Sequence, residues 1–276
     1  PGLQLCRNGF TLSLDAPFSA RDEVMHKETR GVYFLASDGT LDLARAFLNS
    51  FRAHNPDLPL CLVPFDDCYS EIAELREKYL FSILENREDF RFCDAISRKF
   101  HHEVRGEYRK LSMWNGIFQE FVYIDLDTVI LANVEFVFSF LEEYDFITSH
   151  SDMPENRDMV WKPSIWESGR LSSRQIEYAA NTGFIASRRG LLTLAKVGSR
   201  MPEALQLREH MELHCKEQPL LNYLIVTSGR TFTSLFCLAY RCGRRSPGIR
   251  QELWAGISGW EVRGGQLIKR GRQHHQ

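Results

Sequence analysis

Apolar residues in this chain gather in short bulky runs closed by polar turns, and between the runs they recur at helical spacing. Gly31-Val32-Tyr33-Phe34-Leu35-Ala36 is the first strong run, and Ser37-Asp38-Gly39-Thr40 closes it with a turn signal. Leu43, Ala44, Phe47, Leu48 and Phe51 then fall at i, i+1, i+4, i+5 and i+8, one face of a helix. Asn55-Pro56 ends that helix, because the residue before a proline is pushed out of the α region. Residues 58–63 predict a second strand, closed by Pro64-Phe65-Asp66-Asp67. Strand, helix and strand with short connections predict a right-handed βαβ unit with parallel strands.

Further along, Ser70 is placed to cap a helix carrying Ile72, Leu75 and Tyr79. Residues 80–105 give no clear period. A helix over roughly 108–119 is expected, with Leu111, Trp114, Ile117 and Phe118 on its apolar face. It leads into the strand Phe121-Val122-Tyr123-Ile124, four bulky residues of high β-propensity. Another strand is expected at residues 145–148. Residues 150–178 are polar, contain Trp161 and Trp166, and read as a long loop or lid. Residues 181–186 read as a short strand following a turn, and helical patterns fill about 190–226. The tail from residue 243 is rich in Gly and Arg. No repeat or low-complexity segment is visible.

Composition narrows the class without naming it. The chain has 276 residues, 43% hydrophobic and 25% charged, the profile of a globular protein able to bury a sizeable core. Its formal net charge of -2 asks for neither nucleic acid nor an anionic membrane. The basic C-terminal residues, Arg244, Arg245 and Arg250 among them, read as a solvated face, with phosphate binding as the alternative. Seven cysteines, an odd number with no C-x-x-C, argue for a reducing compartment and against a disulfide framework or a zinc site. Cys61, in an apolar run, reads as core. No N-x-[ST] acceptor occurs, and no apolar stretch approaches the length of a membrane span. A cytoplasmic location is the expectation. The chain opens on Pro1 and not Met, which leaves open a fragment that has lost a leader or an anchor.

The chemistry concentrates where the strand 121–124 runs into Asp125-Leu126-Asp127. Carboxyl ends of strands are the ligand-binding rim of an open α/β sheet. Hard divalent cations take oxygen ligands, often one or two carboxylates together with substrate phosphates. The pair therefore points to metal-assisted chemistry on a phosphorylated substrate. The plainer reading is a turn or a helix cap. Thr128-Val129-Ile130-Leu131 continues with strand-like residues, which places the pair inside an extended stretch and weighs against the cap. Acids also end the two earlier strands, at Asp38 and at Asp66/Asp67. If the strands are parallel, all three sets lie on one rim.

The segment from Lys110-Leu111 through Phe121-Val122-Tyr123-Ile124-Asp125-Leu126-Asp127-Thr128-Val129-Ile130-Leu131-Ala132-Asn133-Val134 resembles the metal-binding segment of glycosyltransferase family eight. Residues 32–38 resemble that family's first strand and nucleotide turn. Asn181-Thr182-Gly183-Phe184 resembles its Asn-Ser-Gly element, and Glu217-Gln218-Pro219-Leu220-Leu221-Asn222 its Asp-Gln-x-x-Leu-Asn element. The resemblance covers about residues 31–226. It implies an α/β GT-A fold, with a single Rossmann-like mixed sheet flanked by helices. Residues 1–30 would form an N-terminal extension and 31–276 one domain. Within it, 31–134 would be the nucleotide-binding half, and 135–276 the acceptor-binding half with the C-terminal tail.

The implied activity is metal-dependent transfer of a sugar, with retention, from a nucleotide-diphosphate donor, a UDP-sugar above all, to a glycan, lipid or protein acceptor. Asp125 and Asp127 would hold Mn²⁺ or Mg²⁺, with Leu126 between them. Lys110, or Arg109 in its place, would add positive charge near the diphosphate. Ala36, Ser37 and Asp38 would line the nucleotide pocket, and Asp66 or Asp67 would contact the uracil or ribose. Asn181, Thr182 and Gly183 would face the sugar or acceptor, and Glu217 and Gln218 would flank the anomeric carbon. The plainer reading of Glu217-Gln218-Pro219 is a helix N-terminus.

Two positions depart from the family pattern. Glu217 stands where Asp is usual, which keeps the carboxylate and adds a methylene. In Glu252-Leu253-Trp254-Ala255-Gly256, Leu253 stands where a metal-binding His is usual. Either Glu252 replaces it, or the two carboxylates, the diphosphate and water suffice. His274 and His275 lie too far into the tail to be assigned. Trp254 and Gly256 remain donor-site candidates, and Trp161, Trp166, Trp254 and Trp260 either stack on sugars or pack in a core. Two other classes compete. A haloacid-dehalogenase-type phosphohydrolase would use Asp125 as nucleophile and Asp127 as acid/base. It would need a later Lys, for which Lys162 and Lys196 are available, and an acidic pair after an apolar strand, which is absent. The other class is a non-catalytic sugar-nucleotide or glycan-binding module.

Overall fold

The computed structural model describes residues 30–241, 260–263 and 266–269. Seven strands form one mixed sheet. They are β1 (Arg30–Ala36), β2 (Leu60–Pro64), β3 (Phe81–Ile83), β4 (Glu120–Ile124), β5 (Phe146–Thr148), β6 (Phe184–Arg188) and β7 (Phe232–Ser234), in the order β3-β2-β1-β4-β6-β5-β7. β1 pairs in parallel with both β2 and β4, and β5 in parallel with β7. β6 runs antiparallel to β4 and β5 and ties the two halves into one sheet. The expected parallel rim is therefore present: β1, β2 and β4 end side by side. A separate two-stranded hairpin pairs Trp260–Arg263 with Gln266–Lys269.

Both faces of the sheet are covered, which is why its strands read as continuous apolar runs and not as alternating ones. The period of two sorts the residues. Val32, Phe34, Leu60, Leu62, Val122 and Ile124 face one layer. There α1 (Leu41–His54) buries Ala44, Phe47, Leu48 and Phe51 of the stripe expected from sequence, whereas Leu43, expected on the same face, is exposed. Tyr33, Leu35, Cys61, Val63, Phe121 and Tyr123 face the other layer. This second layer is built from α2 (Arg87–His101), α3 (Leu194–Gln206) and α4 (Gln218–Val226). Each fully buried Phe or Leu contributes about 1.5–3 kcal/mol.

Several expectations need correction. Ser70 does not cap its helix: the Asp38 carboxylate accepts from Ile72 N (3.0 Å) and from Ser70 Oγ (3.1 Å), and the segment breaks at Leu75 into Ser70–Glu74 and Arg76–Tyr79. The helix expected over 108–119 is a 3₁₀ helix, Gly106–Asn115. It stops because the Tyr33 hydroxyl accepts the N–H groups of Ile117 (2.7 Å) and Phe118 (3.2 Å), which a continuing helix would need. Ile117 is exposed while Leu111, Trp114 and Phe118 are buried. Residues 150–178 are not a lid. They hold three short helices and bury Val160, Trp161, Ile165, Ile176 and Tyr178 in the core. The silent segment 80–105 contains β3 and α2.

The stretch after Asp127 is not extended sheet. β4 ends at Ile124, opposite Phe184, where β6 begins. One further bond, Asp125 N to Gly183 O at 2.7 Å, closes the ladder, and Thr128 N turns back to Asp125 O at 3.2 Å. The acidic pair thus stands on a turn at the strand end.

Candidate active site

A cavity of about 500 Å³ opens at the ends of β1 and β4. Asp125, Leu126, Asp127, Ala36, Lys110, Thr182, Glu217 and Gln218 line it, so eight of the residues singled out from sequence converge on one place. They arrive from five places in the chain: Ala36 from β1, Lys110 from the 3₁₀ helix, the acidic pair with Leu126 from the turn after β4, Thr182 from the turn before β6, and Glu217 and Gln218 from the start of α4.

Lys110 is the hub. Its ammonium binds Glu217 Oε1 at 2.7 Å and Asp125 Oδ1 at 2.9 Å, and lies 4.7 Å from the centroid of the Tyr123 ring. Only 3% of Lys110 and 4% of Glu217 is exposed. Burial opposes the charge on Lys110, but Asp125 and Glu217 outweigh it and hold the ammonium well above its ordinary range. Burial pushes the Glu217 carboxyl up, Lys110 pulls it down, and Asp125 adds to the upward push. The Tyr123 hydroxyl donates to the same Asp125 Oδ1 at 2.6 Å, and burial raises its pKa well above the ordinary value, with Asp125 adding to the rise.

Gln218 and Asn222, one helical turn apart, fasten α4 to the turn before β6. Gln218 Oε1 accepts from Thr182 N (3.2 Å). The Asn222 amide accepts from Ala180 N (2.6 Å) and donates to Ala180 O (2.8 Å). Thr182 Oγ1 donates to Glu217 Oε1 at 3.3 Å. The Asn181 side chain accepts from Gly183 N (2.9 Å) and from Ser149 Oγ (3.2 Å), so it shapes the turn and is absent from the cavity wall. Gly183 is required by close approach: a Cβ there would lie 2.7 Å from Asp125 Oδ2.

The remaining expected residues do other work. Asp38 holds the helix at Ser70, Ser37 closes a turn with Thr40, and Asp66 Oδ1 accepts from Cys68 N at 2.8 Å. None of these three lines the cavity. Arg109 faces away from its neighbour Lys110, into a separate cavity of about 920 Å³ that shares no lining residue with the first. There it forks onto Asp94 (3.1 and 3.0 Å) and reaches Asp67 (3.1 Å), so it is not a stand-in for Lys110. Trp161 is core and Trp166 is exposed beside Arg157. Trp254 and Gly256, with Glu252, Leu253, His274 and His275, lie outside the described residues, as do residues 1–29 and the arginines at 244, 245 and 250. The side chain of Trp260 is likewise not described. Sequence reasoning missed Thr40, Phe65, Glu107 and Lys216 on the cavity wall. No motif marks them; Lys216, with φ 59°, directly precedes Glu217.

The donor set suits a hard cation. Four carboxylates, Glu107, Asp125, Asp127 and Glu217, face two ammonium groups, Lys110 and Lys216, before any phosphate enters. Asp127 is exposed and has no hydrogen bond or ion pair among the described residues, and the bonds to Asp125 use Oδ1 and leave Oδ2 open. No group of three His, Cys, Asp or Glu side chains among the described residues could hold a metal ion by itself. Two carboxylates completed by diphosphate and water are the ordinary arrangement for Mg²⁺. No helix among the described residues is long and apolar enough to cross a membrane.

No family model matches this chain, and no curated protein does. Solved structures do. The galactosyltransferase LgtC, in complex with donor and acceptor sugar analogues, is similar over 74% of this chain and 72% of its own, at 18% identity and a TM-score of 0.52. Mouse xyloside xylosyltransferase 1 is similar over 75% and 84%, at 12% identity and 0.51. The bifunctional glycosyltransferase WbbM is similar over 75% of this chain but 39% of its own, at 13% identity and 0.52. The fold is that of the GT-A glycosyltransferases, and the likeness to LgtC agrees with the resemblance to glycosyltransferase family eight.

Proposed function

We propose that the protein is a glycosyltransferase that moves a sugar from a nucleoside-diphosphate donor, a UDP-sugar above all, to a glycan, lipid or protein acceptor, with retention of configuration. The observation that carries this reading is the convergence of Asp125, Asp127, Lys110, Thr182 and Glu217 on one cavity at the carboxyl rim of a GT-A sheet. Residues 31–276 are read as one such domain.

Asp125 and Asp127 would hold a Mn²⁺ or Mg²⁺ ion, which when bound supplies positive charge against the departing nucleoside diphosphate. The chain's own groups do the rest. Glu217 presents a buried carboxylate paired with the Lys110 ammonium at 2.7 Å. Such a charge stabilises the positive character that develops at the anomeric carbon as the bond to the diphosphate breaks. Thr182, bonded to both Glu217 and Gln218, offers its hydroxyl beside the carboxylate. Gln218, whose Oε1 is held by Thr182 N, acts as the brace that sets this geometry.

Titrating UDP and GDP calorimetrically with and without Mn²⁺ tests the reading. We expect Mn²⁺-dependent binding of one nucleotide, weakened at least about 30-fold, roughly 2 kcal/mol, by Asp127→Ala. No binding of either nucleotide sinks it. Binding without turnover of any donor returns the non-catalytic module. The phosphohydrolase has lost its main support, since the fold is that of glycosyltransferases and Asp125 is held by Lys110 and Tyr123.

A further inference from the structure

Lys110 lines the cavity, but its charged end is held by the protein. Two carboxylate bonds and the face of the Tyr123 ring surround the ammonium, and the residue is all but fully buried. An ammonium bonded to two carboxylates has at most one of its three donors left for a phosphate. The Asp125 carboxylate is correspondingly one-sided. Its Oδ1 already takes bonds from Lys110 at 2.9 Å and Tyr123 at 2.6 Å, while Oδ2 sits above Gly183. Asp127, by contrast, is exposed and carries no such partner among the described residues.

We propose that Lys110 is the resident counter-ion of Asp125 and Glu217 and not a phosphate-binding group, and that it makes divalent cation and nucleoside diphosphate bind as a pair. The inference rests on the transferase reading above. A fixed positive charge bonded to Asp125 opposes a second cation on the same carboxylate. Asp127 and one oxygen of Asp125 then make a weak site for a cation alone. The diphosphate brings the negative charge that offsets Lys110, so each ligand strengthens the other, and by the same factor. In the absence of both, Lys110 keeps Asp125 and Glu217 from repelling each other.

The test is Mn²⁺ titration of the full chain, followed by the electron paramagnetic resonance of free Mn²⁺, with and without UDP, on wild type and three variants. Lys110→Met is expected to tighten Mn²⁺ binding without nucleotide about tenfold and to shrink the mutual effect of Mn²⁺ and UDP. Lys110→Arg, which keeps the charge, is expected not to tighten it. Tyr123→Phe frees the same oxygen from its other donor and is expected to tighten Mn²⁺ alone about threefold. A phosphate-binding lysine gives the opposite pattern: Lys110→Met weakens UDP and leaves Mn²⁺ alone unchanged or weaker. That result overturns the proposal. If Lys110→Met fails to fold, as shown by its thermal melt, Tyr123→Phe decides, and unchanged Mn²⁺ affinity counts against the proposal. Wild type that binds Mn²⁺ and UDP no better together than separately also overturns it, while leaving the transferase reading intact. Wild type that binds neither removes that reading, and this inference with it.

Discussion

Single atoms decide the chemistry of this site. Asp125 and Asp127 are two positions apart and chemically identical, yet one is pinned and the other free. Tyr123, in β4 and two residues before Asp125, supplies part of that difference through its hydroxyl. Gly183 supplies another part by leaving room for Asp125 Oδ2. Gly183→Ala is expected to leave the thermal midpoint within a few degrees of wild type, because the clashing atom is the end of a side chain that can rotate. The displaced carboxylate should cost about tenfold or more in Mn²⁺-dependent nucleotide affinity. Calorimetry beside a thermal melt separates the two effects. A variant that loses both to the same degree would assign Gly183 to folding instead.

At the scale of elements, the site depends on how α4 and β5 are tied to their neighbours. Asn222 satisfies both backbone groups of Ala180 from within α4, in a fully buried setting. Asn222→Ala strands those groups, and a loss of about 3 kcal/mol in urea unfolding is expected. Activity at low temperature should fall further than stability explains, since Thr182 and Glu217 lose their common frame. On the other side of the sheet, Asp145 joins three strands: it accepts from Arg188 Nη2 at 2.6 Å, from Thr231 N at 3.0 Å and from Thr231 Oγ1 at 3.1 Å. Burial raises its pKa, but these bonds outweigh burial and leave it below the ordinary 3.8. A depressed carboxyl stabilises the fold above its unfolded value and loses that contribution as the pH falls through the lower folded value. Asp145→Asn should therefore cost about 1 kcal/mol at pH 7, with the difference from wild type shrinking as the pH falls below the ordinary carboxylate range. A difference that persists in acid would place the effect in shape and not in charge.

Over the whole molecule, the proposed metal site and the stability of the fold are separable. The core lies on both faces of the sheet, and no described metal-binding group builds it. Chelation with EDTA is expected to abolish UDP binding while shifting the thermal midpoint by no more than about 2 °C. A large fall in the midpoint would show a structural metal. The two cavities reinforce the separation. Arg109 lines one and its neighbour Lys110 the other, and the two share no lining residue.

Local patterning alone made much of this legible. The runs at 31–36, 58–63 and 121–124 are strands because bulky residues without helical spacing bury on two faces, and the stripe of α1 follows from its period. The acidic pair was legible because two charges at the end of a buried run have no packing use. Missing from the local signal were α2, whose strongly polar faces mask its stripe, and the stop of the 3₁₀ helix, which a distant tyrosine hydroxyl imposes. Three sets of acids on one rim looked alike in sequence. Only the tertiary structure assigned Asp38 to a helix start, Asp66 to a turn and Asp67 to Arg109, leaving Asp125 and Asp127 to the cavity. The reason is physical: the sequence determines which groups are charged and which segments must be buried, whereas a carboxylate's function depends on which donors reach it, as Lys110 reaches Glu217 from 107 positions away.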